Sequence, residues 1–193
     1  MFFFSRSDFA EPLVITCLVG ILGFIAWKDL QSRRIPNYAT YSLVLAGCVW
    51  GFLCQTFSLT TVHIQSLSEA IFGAATCFAV MFAIYIYTNS GAGDVKLAAG
   101  IGSFFGVQEG LQTICYAYIT AACFAGCLII WFLGFGFASR RFLQILWIPV
   151  SAEDPEVERK ASQLMSKGLP LAPFFLIGTL LTIAHSISLF SWN

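Results

Sequence analysis

The run Gly-Ala-Gly-Asp-Val-Lys-Leu-Ala-Ala-Gly-Ile-Gly-Ser-Phe-Phe-Gly occupies residues 91–106 and decides which kind of bundle this chain can form. Its apolar part, residues 95–106, spans only about 18 Å as a helix, because each residue adds about 1.5 Å. The hydrocarbon core of a bilayer is about 30 Å thick. We therefore expect this segment to thin the bilayer or to be sheltered by neighbouring helices.

The composition is that of an integral membrane protein. Of 193 residues, 58% are hydrophobic and 10% are charged, whereas a soluble domain has about 25% charged residues. Ten basic and ten acidic residues cancel, and no basic stripe interleaves with aromatic residues. The lipid bilayer is thus an expected partner, and nucleic acid is not.

Five further apolar stretches have lengths near the ~20 residues that a spanning helix needs. They lie at about 10–27, 38–57, 67–88, 111–137 and 169–191. Together with the short stretch, they predict an all-α polytopic protein in which one domain, residues 1–193, forms a bundle of six transmembrane helices. The fourth helix of this bundle is the short one.

The basic residues predict the orientation. Nine of the ten fall on one side of the predicted topology: Lys28, Arg33, Arg34, Lys96, Arg140, Arg141, Arg159, Lys160 and Lys167. By the positive-inside rule this side is cytoplasmic. Both termini are then outside, and a polar insertion at about 138–168 lies on the cytoplasmic side.

Two aspartates, Asp29 and Asp94, directly abut apolar stretches and reach the same cytoplasmic edge in this topology. A carboxylate at such a place is costly and needs a reason. Two carboxylates that share a site hold one proton between them. Such a pair can activate a water molecule and then protonate a departing amine. Asp29 and Asp94 are therefore candidates for a catalytic pair.

Simpler interpretations of these residues stay open. Asp29 could pair with Lys28 or Arg33, and Asp94 with Lys96, in a collar of charges at the membrane edge. The glycines Gly91 and Gly93 favour a functional site, because they leave bare backbone beside which an extended peptide can lie. Lys96 could bind a substrate carboxylate, or it could be a lysine that extends its amine towards water.

No metal or cofactor is expected. None of the seven cysteines forms a Cys-x-x-Cys pair. Cys123 and Cys127 share a helix face, but two thiols without a histidine or carboxylate beside them make a poor metal site. His63 and His185 lie far from any comparable set of ligands. The predicted chemistry of the two carboxylates requires none.

The motif Gly91-Ala92-Gly93-Asp94-Val95-Lys96, together with an upstream Asp29 and Ile35-Pro36-Asn37, resembles the type IV prepilin peptidase family. Those enzymes are membrane aspartic peptidases of the Gly-x-Gly-Asp kind, and their two catalytic aspartates match Asp29 and Asp94. The stretch Leu169-Pro170-Leu171-Ala172-Pro173-Phe174 is similar to a looser form of the family's Pro-Phe-x-Pro-Phe stretch.

The resemblance implies cleavage of the leader peptide of a prepilin or pseudopilin precursor, at the cytoplasmic face of the bacterial inner membrane. Larger members carry an N-terminal domain with paired Cys-x-x-Cys motifs and also methylate the new N-terminus. This chain resembles the short form that accompanies tight-adherence (Flp) pili, for which no methyltransferase activity is expected. Neither the resemblance nor the residues indicate an oligomeric state.

Two other functions remain compatible with the residues. One is a different Gly-x-Gly-Asp intramembrane protease, of the presenilin or signal-peptide-peptidase sort. The other is a small transporter or assembly factor that uses the two aspartates for ions or partner contacts. Proton coupling favours carboxylates near the bilayer midplane, whereas both aspartates are predicted at an edge.

Overall fold

The computed structural model describes residues 7–32, 35–57, 66–88, 91–133 and 170–190, and within these ranges all regular structure is helical. This confirms the predicted all-α class. The five helices in chain order are α1 (Ser7–Ser32), α2 (Asn37–Phe57), α3 (Leu67–Thr88), α4 (Ala92–Leu133) and α5 (Ala172–Phe190). The predicted insertion at 138–168 lies outside the described residues.

The chain divides into two compact units. The first contains residues 1–118 and 170–193 and carries every residue of the site described below. The second contains residues 119–169, and its described part, residues 119–133, is the end of α4. The single domain therefore stays a prediction.

Local sequence explains where the helices begin. Ser66 precedes α3, and its hydroxyl accepts a hydrogen bond from the backbone N–H of Glu69 at 3.3 Å, as a helix-capping serine does. Before α2, the carbonyl of Pro36 accepts hydrogen bonds from the backbone N–H groups of Ala39 and Thr40 at 3.1 and 3.4 Å. The Ile35-Pro36-Asn37 segment thus starts the second helix.

α4 is interrupted at Gly106, where φ is 71° and ψ is −165°. This region of backbone space is essentially restricted to glycine. A Cβ built on Gly110 would lie 3.2 Å from the Cα of Gly102, although eight residues of straight helix rise about 12 Å. The helix therefore folds back at Gly106 into two arms, residues 92–105 and residues 107–133.

The short helix predicted at residues 95–106 corresponds to the first arm of α4, which ends at Gly106. The predicted count of six spanning helices is not confirmed. In the described ranges, four helices are long and apolar enough to cross a membrane, and the apolar part of α5, Ala172–Ser186, is shorter. The count differs because α4 continues directly through a single turning residue, with no loop between its arms.

Pairwise packing holds the first unit together: α1 lies against α5, α2 against α3, and α1 also against α2. On α1 the buried residues recur at helical spacing, as Leu18, Leu22, Ile25, Ala26 and Asp29. This stripe faces the interior. Asp29 therefore continues an otherwise apolar face, which brings a carboxylate into the bundle.

Large apolar side chains cover the outside of the helices. Phe24, Trp27, Phe52, Phe72 and Tyr87 are each exposed by 47% or more. In water such a surface would drive aggregation, whereas lipid tails are a suitable solvent for it. Together with the four long apolar helices, this surface identifies a multi-pass membrane protein.

Candidate active site

The candidate site lies at one end of the first unit, where α1 ends and α2, α4 and α5 begin. Asp94 occupies the first turn of α4 and is only 7% exposed. Its backbone N–H donates a hydrogen bond to the carbonyl of Gly91 at 3.0 Å. This turn holds the Gly-x-Gly-Asp segment against the start of α4 and directs Asp94 into the bundle.

Asp29 reaches the same place from the end of α1 and is 6% exposed. Its Oδ2 accepts a hydrogen bond from the backbone N–H of Ala172 at 3.3 Å. Ala172 is the first residue of α5, and the N-terminus of a helix carries unpaired N–H groups and a partial positive charge. The beginning of α5 therefore stabilises a buried carboxylate that α1 supplies.

The two predicted catalytic residues are brought together, since the charge of Asp29 acts on Asp94. Segments 65 residues apart in the chain thus meet at one end of the bundle. Two buried carboxylates in this relation cannot both carry a charge cheaply. The arrangement suits a pair that holds one proton and exchanges it with a substrate.

Gly91 and Gly93 differ in their surroundings. Gly91 is exposed, and a Cβ built on it would lie 3.1 Å from Oδ2 of Asp94. Gly93 is half-buried, and a Cβ there would lie 3.0 Å from the Cβ of Ile35. The bare backbone expected from both glycines is thus found at Gly91, next to the carboxyl, while Gly93 allows the segment before α2 to pack closely.

Lys96 links the beginnings of α4 and α2. Its Nζ donates a hydrogen bond to Oδ1 of Asn37 at 2.9 Å and lies 5.1 Å from the ring centroid of Tyr41. A cation at that distance is attracted to the ring face. The side chain is therefore held by α2, and its predicted contact with substrate stays a prediction.

Two groups that interact with the aspartates, one by a hydrogen bond and one only through charge, were not predicted from the sequence. One is the backbone N–H of Ala172, which bonds to Asp29. The other is Tyr118 in the second arm of α4, whose hydroxyl experiences the charge of Asp94. The only signal for Tyr118 in the sequence is its spacing, since Asp94 and Tyr118 each lie twelve residues from Gly106.

Within the described residues, no group of three or more His, Cys, Asp or Glu side chains could hold a metal ion. His63 lies outside these residues. His185 has Nδ1 3.3 Å from Nε2 of Gln112, in the part of the bundle formed by α4 and α5. The candidate site therefore consists of carboxyl groups, a phenol and backbone N–H groups.

Comparison with known proteins identifies relatives of this chain. The Type IV leader peptidase family matches residues 16–126, a range that contains both aspartates, Gly106 and Tyr118. The chain is 28% identical over 92 residues to the preflagellin peptidase of Methanocaldococcus jannaschii, covering 47% of this chain and 38% of that protein. It is 30% identical over 76 residues to the undecaprenyl-diphosphatase of Wigglesworthia glossinidia brevipalpis, covering 36% of this chain and 28% of that protein.

The chain thus spans well under half the length of either curated relative. No solved structure matches it.

Proposed function

Because this chain belongs to the type IV leader peptidase family, we propose that it is a membrane aspartic endopeptidase that cleaves the leader peptide of a prepilin-like precursor. Asp29 and Asp94 are its catalytic pair. The observation that carries this proposal is the burial of both carboxyls at one end of the bundle, where the charge of one acts on the other. The resemblance on which the prediction rested is confirmed at the level of the family.

The proposed reaction uses the two carboxyls and a water molecule. The ionised carboxylate of the pair takes a proton from water, and the water oxygen attacks the carbonyl carbon of the scissile peptide. A tetrahedral intermediate forms. The second carboxyl then gives its proton to the peptide nitrogen, the C–N bond breaks, and a new carboxylate and a new amine leave the site. No metal ion or cofactor takes part in these steps.

The substrate follows from where the site lies. Precursors of the pilin class carry a short leader, then an apolar helix, so the bond to be cleaved lies where a helix leaves the membrane. Asp29 and Asp94 lie at helix ends, and the exposed backbone at Gly91 adjoins Asp94. An extended leader can pair with such backbone. Gly91, Gly93 and Lys96 form the proposed substrate-binding segment.

We assign the site to the cytoplasmic face of the bacterial inner membrane, because nine of ten basic residues fall on that side of the predicted topology. The preflagellin peptidase among the relatives supports a precursor of this class. The similarity to an undecaprenyl-diphosphatase covers 36% of this chain, less than the 47% covered by the preflagellin peptidase, and the family match supports a peptidase.

Replacing either aspartate by asparagine tests the catalytic pair. Asp29→Asn and Asp94→Asn keep the size of the side chain but remove its proton chemistry. Each is expected to lower cleavage of a co-expressed pilin-type precursor at least about 1,000-fold, while the protein stays in the membrane. Glu69→Gln, which removes an exposed carboxyl from the first turn of α3, should cleave at the wild-type rate.

Three outcomes separate the candidate functions. Wild-type cleavage by either asparagine variant would refute the catalytic pair. Cleavage of single-span proteins that lack a pilin-type leader would indicate a broader intramembrane protease. Ion uptake without cleavage of any precursor would indicate a transporter.

A further inference from the structure

The turn at Gly106 sets the register between the two arms of α4. Gly102 and Gly110 touch across the turn, with a built Cβ of Gly110 3.2 Å from the Cα of Gly102. These residues are equally distant from Gly106. Because the arms run antiparallel with the same rise per residue, other equidistant pairs lie at similar depth. Asp94 and Tyr118 are such a pair, each twelve residues from Gly106.

The hydroxyl of Tyr118 is in an unusual state for a buried polar group. Its oxygen is buried and has no hydrogen-bond partner among the residues that the structure describes. Buried tyrosine hydroxyls normally find a partner, and an unsatisfied buried hydroxyl costs about 1–3 kcal/mol. The Tyr118 hydroxyl can therefore donate a hydrogen bond to a substrate that binds later.

Electrostatics connects this hydroxyl to the catalytic pair. The charge of Asp94 acts on the Tyr118 hydroxyl, as the charge of Asp29 acts on Asp94. Asp94 is therefore within electrostatic range of both Asp29 and Tyr118. Register across the turn and burial of the hydroxyl agree with this placement.

Tyr116 is a matched tyrosine on the same arm. Its hydroxyl accepts a hydrogen bond from Nε2 of Gln112 at 3.0 Å, and it is half-buried. The two tyrosines differ by two residues in a helix of 3.6 residues per turn, so they face directions about 200° apart. Tyr116 therefore lies on the opposite side of the arm from Tyr118.

We propose that Tyr118 is a further catalytic residue, whose hydroxyl donates a hydrogen bond to the carbonyl oxygen of the scissile peptide. The inference rests on the proposed peptidase function and assigns that site a group beyond the two carboxyls. A preorganised donor aimed at an oxygen that gains negative charge is among the strongest contributions to catalysis.

With Tyr118 included, the same bonds form and break and the same protons are transferred. As water attacks the carbonyl carbon, a C–O bond forms and the π electrons of the carbonyl move to its oxygen, which the Tyr118 hydroxyl holds through its hydrogen. When those electrons return, the C–N bond breaks, and the nitrogen receives its proton from the carboxyl pair. The phenol donates a hydrogen bond throughout and keeps its proton.

Tyr118→Phe removes a single oxygen and tests this role, with Tyr116→Phe as the matched control. On a purified full-length protein in detergent or lipid, Tyr118→Phe should lower kcat about 100-fold and leave KM within about twofold, since the hydrogen bond strengthens in the transition state. Its thermal stability should equal or exceed that of the wild type, because an unsatisfied hydroxyl is removed. Tyr116→Phe should keep the wild-type kcat.

A binding measurement gives a second reading. A peptide in which a tetrahedral hydroxyl-bearing carbon replaces the scissile carbonyl should bind Tyr118→Phe about 100-fold more weakly, whereas an uncleaved substrate peptide should bind it as tightly as the wild type. An unchanged kcat in Tyr118→Phe, or equal weakening of both peptides, would overturn the role of Tyr118. Absence of cleavage by the wild type, in contrast, would overturn the proposed function itself.

Discussion

The first arm of α4, residues 92–105, begins among polar side chains and ends among glycines. At its beginning, polar side chains carry the interactions: Lys96 bonds to Asn37, and Asp94 is subject to the charge of Asp29. At its end, backbones touch. A Cβ built on Gly73 of α3 would lie 2.6 Å from the Cα of Gly106.

The difference teaches how a short helix can position chemistry in a membrane. Contact between backbones leaves no side-chain rotamers to adjust, so the glycine end fixes the depth and rotation of both arms. The positions of the polar side chains at the beginning of the arm are therefore set by a turn about 18 Å away. Asp94 and Tyr118 are therefore held at a common depth by residues that take no part in the reaction.

Gly106→Ala should have the largest effect on stability and activity, because it changes the residue that forms the turn. At φ 71° and ψ −165°, a side chain costs about 1–3 kcal/mol. We expect a clear drop in the midpoint of thermal unfolding and a loss of most precursor cleavage.

Gly20→Ala is the matched control, since a Cβ at Gly20 meets no atom within 4 Å and alanine favours a helix over glycine. This variant should unfold at the wild-type temperature or above it. If Gly106→Ala proved as stable and as active as Gly20→Ala, the turn would not set the geometry of the site.

The sequence predicts the helices well where hydrophobicity alone decides them. The predicted stretch 67–88 coincides with α3, and 38–57 differs from α2 by one residue. The first helix was predicted to end at residue 27 but continues to Ser32. Its extra turn, residues 28–32, contains Lys28, Asp29, Gln31 and Ser32, and these polar residues are absent from an apolar count.

The contacts within the site were harder to predict. The bond between Asp29 and the N–H of Ala172 joins residues 143 apart in the chain, and it depends on α1 packing against α5. The motif around Asp94 indicates a functional carboxyl, yet nothing local shows that Asp94 and Tyr118 lie at similar depth. That placement follows only once the reversal at a single residue, Gly106, is known.

Gly91→Ala tests the polar beginning of the first arm of α4 and should have an intermediate effect on activity. The added Cβ would lie 3.1 Å from Oδ2 of Asp94, so the carboxyl must shift slightly. A small misplacement of a catalytic group is costly in rate, and we expect kcat/KM for precursor cleavage to fall about tenfold. Gly91 is exposed, so thermal stability should change little.

Gly23→Ala, in open space on α1, controls for the general effect of a glycine replacement in this protein. It should leave both cleavage and unfolding unchanged. Full activity in Gly91→Ala would show that Asp94 tolerates crowding and that bare backbone at this position is not needed by the substrate.

The smallest effect is expected for Lys96→Met, which keeps the apolar stem and removes the charge. The variant loses the bond to Asn37 and the contact with the Tyr41 ring. These are partly exposed interactions, so stability should fall by about 1 kcal/mol. Its value lies in separating the two roles of Lys96, as a link between α4 and α2 or as a contact to the substrate.

Asn37→Ala breaks the same link but leaves the lysine charge in place, and this allows the roles to be told apart. If Lys96 only joins the two helices, the double variant should lose as much stability as Lys96→Met, Asn37→Ala should lose less because it keeps the Tyr41 contact, and all three should show equal KM values. If Lys96 also binds substrate, KM should rise severalfold in Lys96→Met alone. An unchanged KM in Lys96→Met would remove Lys96 from the proposed substrate-binding segment and leave the backbone at Gly91 and Gly93, because the charge of Lys96 would then contribute nothing to substrate binding.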